Sequence, residues 1–310
     1  MKPAAMALAS VLGVVVLVGC GLGAGPTPSA VKLVVTRDFG ARVLPATGPL
    51  KVNGQVTVMS LLTRNYRVAT REGGGFVDSI DGLSGGQEAG APVDWFYFVN
   101  GVEASKGAAA VDVHSGDHVW WDRHDWSQAE TVPAVVGSFP EPFLNGIEGK
   151  RLPVRVECAS VAGSACLTVA ARLHALHIPA AVAAITSSGA PGSLRVLVAP
   201  WTSIANDLGA QSLERGPRAS GVYARFSANG QTLTLLDENG QSVETLRTGA
   251  GLIAATRQGE DPPVWLVTGT DEQGVRLAAS TFDQSTLQDR FAVALGPDGA
   301  TPLPDWAASG

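Results

Sequence analysis

An α+β fold is predicted by three features of the chain. Short runs of alternating apolar residues have the period of strands, a few stretches carry apolar residues at helical spacing, and Asn-Gly or Gly-rich reversals separate them. A proline-containing stretch divides this pattern into two blocks. A β-rich module over residues 31–132 and a mixed α/β domain over residues 151–296 are therefore expected, joined by a docked linker over residues 133–150. With 310 residues the chain is long enough to bury two cores. A formal charge of −6 and the lack of a basic run argue against nucleic acid as a partner.

At the start of the chain, Lys2 precedes an apolar run from Ala4 to Val18, shorter than the ~18 residues of a spanning helix. The run ends in Leu17-Val18-Gly19-Cys20. Charge, short apolar core and a small residue before the cut describe a secretory signal over residues 1–19. Leu-Val-Gly-Cys is similar to a bacterial lipobox, which implies lipidation of Cys20 and attachment to the cell membrane on its extracytoplasmic face. Residues 20–30, with the sequence GLGAGPTPSA after the cysteine, hold nothing that anchors a core and read as a flexible tether.

Val31, Leu33 and Val35 alternate with Lys32, Val34 and Thr36, so a strand opens the module. Residues 55–65 place Val58, Leu61 and Leu62 at helical spacing. Gly73 to Gly75 and the run from Gly82 to Gly90 read as loops at one rim. The stretch from Asp94 to Trp126 is the most informative. It holds four of the seven tryptophans, Trp95, Trp120, Trp121 and Trp126. Trp95, Tyr97 and Val99 alternate with Phe96 and Phe98 as a strand with two apolar faces, and Asn100-Gly101 supplies a tight reversal. Ser115-Gly116-Asp117 turns the chain again into a strand from His118 to Arg123. Strand, helix and further strands make a β-grasp-like unit the simplest architecture.

This module resembles the transcobalamin C-terminal-like domain family (DUF4430-type). The resemblance is carried by Trp95 with Tyr97, by Val99-Asn100-Gly101, by Gly107-Ala108, and by Gly116-Asp117 leading into Val119 and Trp120. Ser79-Ile80-Asp81-Gly82 looks like the family's turn upstream of these. It covers residues 31–126 and implies the same β-grasp-like fold, with a corrinoid such as cobalamin as ligand and no enzymatic activity. The chain departs from transcobalamin and intrinsic factor, which clamp cobalamin against a large helical barrel, because no helical repeat of that length is present. Either residues 151–296 replace the barrel or the module takes no cobalamin.

In the second block, Val154 and Val156 mark a strand, residues 166–177 a helix, Ala181 to Ile185 and Leu194 to Val198 strands, and Trp201 to Leu213 a helix. Val222 to Phe226 and Thr232 to Leu236 form a hairpin about Asn229-Gly230. A strand at Val264 to Val267, a helix at Asp271 to Thr281 and a strand at Phe291 to Leu295 complete it. Residues 297–310 are expected to fray as a tail. Within the linker, Phe139, Phe143 and Leu144 are too apolar for a free connection. Cys158 and Cys166 remain as an even pair in an exported chain. A disulfide would close a loop of about nine residues and stabilise by roughly 2.5 kcal/mol.

His114, His118 and His124 fall near Asp112, Asp117, Asp122 and Asp125, which raises a metal reading. Six residues of strand separate His118 from His124 by ~20 Å, so solvated polar groups are the simpler account and no metal or cofactor is assigned. Asp122-Arg123-His124 starts like the Asp-x-His-x-x-Gly signature of corrinoid enzymes, but Ser127 stands where the glycine belongs. No Gly-x-Ser-x-Gly, Ser-x-x-Lys or His-Glu-x-x-His motif and no phosphate loop is present. Trp95, Tyr97, Trp120, Trp121, His124 and Trp126 are the candidate ligand-binding residues, flat groups suited to stacking on a conjugated ring or a sugar. Alternation also places some of them in the module's own core or in a contact between domains. Non-enzymatic capture of a ligand, with handover to a membrane transporter, is the expected function. A structural or adhesive module on cell-wall glycan or a partner protein is the alternative.

Overall fold

The computed structural model describes residues 27–185 and 191–305. The expected signal over residues 1–19, Cys20 and most of the expected tether lie outside the described residues. In the first block the elements are β1 (Lys32–Arg37), β2 (Arg42–Val43), α1 (Val58–Asn65), β3 (Val68–Arg71), β4 (Phe76–Ile80), β5 (Leu83–Ser84), β6 (Gly86–Glu88), β7 (Ala91–Val99), β8 (Val102–Glu103) and β9 (His118–Asp125). β9 is central, parallel to β1 and antiparallel to β7, in a six-stranded sheet of order β2-β1-β9-β7-β6 with β8 hairpinned onto β7. Asn100 and Gly101 both take positive φ, the type I′ geometry that the Asn-Gly pair predicts. α1 starts on a reciprocal cap between Thr57 and Ser60 and buries Val58, Leu61 and Leu62 against one sheet face. β3, β4 and β5 make a small separate sheet.

The second block contains β10 (Val154–Cys158), α2 (Ser164–Ala175), β11 (Ala180–Ala184), β12 (Leu194–Pro200), α3 (Trp201–Ile204), α4 (Gln211–Glu214), α5 (Pro217–Ser220), β13 (Ala224–Phe226), β14 (Leu233–Leu236), β15 (Ser242–Leu246), β16 (Gly251–Thr256), β17 (Val264–Gly269), α6 (Glu272–Ser280), α7 (Gln284–Leu287), β18 (Ala292–Gly296) and β19 (Gly299–Leu303). Seven strands form one sheet of order β11-β10-β12-β17-β16-β18-β19, parallel through β17 and antiparallel beyond. α2 and α6 pack together beside it, and β13 to β15 form a three-stranded sheet of their own. Cys158 and Cys166 are disulfide-bonded, tying the end of β10 to the first turn of α2. β11 is the edge strand, and Val182 is 41% exposed there.

Several expectations are corrected. The run from Gly82 to Gly90 is not all loop, since it contains β5 and β6. The expected helix from Trp201 to Leu213 is broken into α3 and α4. Asp207 ends the first turn by accepting from the Gly209 N–H, and its carboxylate also pairs with buried Arg195. Strands β15 and β16 escaped the pattern, the latter because an unbroken apolar run has no period to read. Within the described residues the tail is paired rather than frayed. Gly299–Leu303 pairs with β18, and Pro302 is tolerated because this is a sheet edge.

The two blocks share one apolar core. Phe39, Phe98, Trp120, Val132 and Val135 belong to the same buried cluster as Tyr223, Leu252, Phe291 and Ala294. Phe291 meets Phe39, Phe98, Trp120 and His124 at centroid distances of 5.2, 5.6, 5.3 and 5.2 Å. The linker is docked, with Phe139 and Phe143 packed on Trp265 and Phe282 rather than on the tryptophan-rich strands.

Candidate functional site: an aromatic cleft on one face of the sheet

The register of β7 and β9 sorts the aromatic residues. Trp95 lies opposite Arg123 and Tyr97 opposite Trp121 on one face, whereas Phe98 opposite Trp120 projects from the other. On the face that carries α1, the Tyr97 and Trp121 rings stack at 4.8 Å. Trp95 donates its indole N–H to the Leu83 carbonyl at 3.0 Å. Tyr97 donates to the Lys106 carbonyl, and burial pushes its phenol up, which keeps it a donor. Trp121 is 2% exposed, and among the described residues its buried indole N–H meets no hydrogen-bond acceptor.

These rings form the inner wall of a cleft of about 740 Å³. The β3–β4 hairpin supplies Arg71, Glu72 and Phe76, the end of β8 and the chain after it supply Glu103 to Ala108, and the chain after β9 supplies Trp126, Glu130 and Thr131. Trp95, Tyr97 and Trp121 are core residues as well, each at most 8% exposed, whereas Trp126 is half-buried and Phe76 is 63% exposed. Four of the six candidate residues, Trp95, Tyr97, Trp121 and Trp126, thus meet in one cleft. The motifs did not single out Phe76, Glu103 or Glu130. The glycines at 73–75 had nonetheless marked the Phe76 turn as a rim.

Trp120 and His124 are placed elsewhere, which corrects their assignment as ligand contacts. Both project from the opposite face into the shared core, and Trp120 is 0% exposed. The Trp120 indole N–H donates to Thr36 Oγ1 at 2.7 Å, and the Thr36 hydroxyl donates to Asp122 Oδ2. Asp122 also accepts from the Phe39 and Gly40 amides and lies 2.8 Å from His124 Nδ1. The His124 ring is layered between Phe39 and Phe96, at 4.7 and 4.5 Å. A fully buried carboxylate with this many donors is satisfied by the fold itself.

His118 is also buried, and burial, with Lys32 nearby, pushes its imidazole down to about 3. His114 is half-exposed beside Asp117, at 3.5 Å. Among the described residues, no group of three or more His, Cys, Asp or Glu side chains is placed to hold a metal ion.

Fold and cleft together define an α+β protein whose first sheet carries an aromatic cleft on one face and an apolar seam on the other. A family model described as "Domain of unknown function (DUF4430)" matches residues 55–125, the span from just before α1 to the end of β9. That span bears the residues that carry the resemblance, and it includes Phe76, Trp95, Tyr97 and Trp121 of the cleft. The second sheet lies outside it. Searches of curated proteins and of solved structures find no match.

Proposed function

We propose that this chain is a non-enzymatic, extracytoplasmic lipoprotein that captures a ligand in the aromatic cleft, with a corrinoid such as cobalamin as the ligand and a membrane transporter as the recipient. The observation that supports this most is the convergence of Trp95, Tyr97, Trp121 and Trp126 around a single cleft of about 740 Å³. That size falls within the roughly 300–1,000 Å³ range of small-molecule sites, and flat amphipathic rings suit a conjugated macrocycle. The second sheet packs on the opposite face, through Trp120 and Phe291, so it does not close over the cleft. A ligand held here keeps one side open, which favours handover over sequestration. Lipidation at Cys20 would keep the protein at the membrane where a transporter is met.

The exposed Phe76 at the rim favours the second reading, a module that lays an aromatic edge on glycan or on a partner protein. Titration of the full chain with cobalamin and cobinamide, followed by the corrin absorption and by heat, separates the two. Saturable binding at micromolar concentration or tighter, lost in Trp126→Ala, is expected for capture. Failure of both compounds to bind rejects the corrinoid reading and leaves envelope glycan as the next probe. Cys20→Ala should move the protein from the membrane fraction to the soluble fraction, and persistence in the membrane fraction would overturn the anchor.

A further inference from the structure

The charges around the cleft are as uneven as its rings are uniform. Glu72, Asp94, Glu103 and Glu130 line it against Arg71 and Lys106. Arg71 is already engaged, 2.6 Å from Asp78 and 3.8 Å from Asp94, so it brings little free positive charge. Lys106 is exposed on a loop and gives the cleft its backbone carbonyl, not its ammonium, as the acceptor for Tyr97. Glu103 is partly buried, accepts from the Val132 amide, and has its carboxyl pushed up by burial, so a neighbouring positive charge would relieve it.

We propose that the cleft selects a flat organic cation, held by the π faces of Trp126 and Phe76 and by the carboxylates of Glu72, Asp94, Glu103 and Glu130. The inference rests on the reading of the cleft as a small-molecule site and adds the charge of its ligand. A cation over an aromatic face is attracted by the ring quadrupole, and partial removal of water strengthens that attraction and the pull of each carboxylate. An anion of the same shape meets Glu72, Glu103 and Glu130, with Asp94 shared with Arg71 and one mobile ammonium to offset them. Charge therefore separates two ligands that the rings alone would bind equally.

The test uses the full chain and two flat dyes of opposite charge, a phenothiazinium cation and an anilinonaphthalene sulfonate, followed by equilibrium dialysis. The cation should bind saturably and at least about tenfold more tightly than the sulfonate, in keeping with several carboxylates acting at short range. Glu72→Gln with Glu130→Gln should weaken the cation about fivefold or more and narrow that gap. Both glutamates are exposed, so folding is unaffected. Glu244→Gln with Glu260→Gln, an exposed acidic pair that does not line the cleft, should leave the affinity unchanged and excludes a general effect of net charge.

Equal binding of the two dyes, no binding of the cation, or indifference to the Glu72 and Glu130 changes would each overturn the proposal. If corrinoids bind while the cationic dye does not, the charge inference fails and the capture reading stands. If the cationic dye binds in the cleft while neither corrinoid does, the corrinoid reading fails and the charge inference stands.

Discussion

At the scale of single residues, the two faces of β9 predict opposite consequences for neighbouring tryptophans. Trp120→Ala empties a fully buried site and removes the donor to Thr36, so a loss of about 3–5 kcal/mol is expected in urea unfolding. Trp126→Ala, at the half-buried rim, should change the urea midpoint little while abolishing ligand quenching of tryptophan fluorescence. His118 adds a pH effect. Burial holds its folded form neutral down to about pH 3, while in the unfolded chain it protonates near pH 6.5. Its contribution to stability is therefore complete above about pH 6.5 and is lost as the pH falls toward 3. The carboxyls of partly buried Glu103 and buried Glu141 are pushed up by burial and act in the opposite sense, so the comparison must be with a variant. His118→Gln should show a shallower fall in unfolding free energy between pH 6.5 and 4 than the parent chain. Alternation in the sequence revealed that the aromatic set splits between two faces. It did not reveal which face is covered, because burial of Trp120 and His124 depends on Phe39 and Phe291, 81 and 171 residues from Trp120.

At the scale of elements, legibility followed local chemistry. α1, α6, β7 and β9 were readable because each carries its own period and its own cap or turn. Asp271, for instance, accepts from the Gly274 amide at the start of α6. The failures were elements defined by partners. β16 is buried at all six positions between β17 and β18, β19 is recruited as an edge, and the helix expected across residues 201–213 yields to the Asp207–Arg195 pair. The disulfide was foreseeable from two cysteines eight apart in a chain expected to be exported, and its value can be measured. In Cys158→Ala with Cys166→Ala the chain-entropy contribution of roughly 2.5 kcal/mol should disappear. Reducing agent should then lower the melting temperature of the parent chain and leave that of the variant unchanged.

For the whole molecule, the shared core sets the cooperativity. One apolar cluster runs from Phe39 and Phe98 through Phe291 to Leu252, so melting of the two sheets is coupled. Heating should give a single transition with coincident tryptophan fluorescence and far-ultraviolet dichroism. Phe291→Ala, which removes four ring contacts across the seam, should pull the two signals apart. A single coincident transition in that variant would show that the coupling lies elsewhere. The outer edge of the second sheet has a different kind of consequence. β11 reads AAVAA, and from Ala159 to Ser193 the sequence contains one charged residue, Arg172. Edge strands are ordinarily guarded by lysine, proline or a bulge, and this one has none within its five residues. In concentrated stocks the shelf life of the protein is therefore set at this strand: turbidity should grow on storage, and a single Val182→Lys change should keep the solution clear.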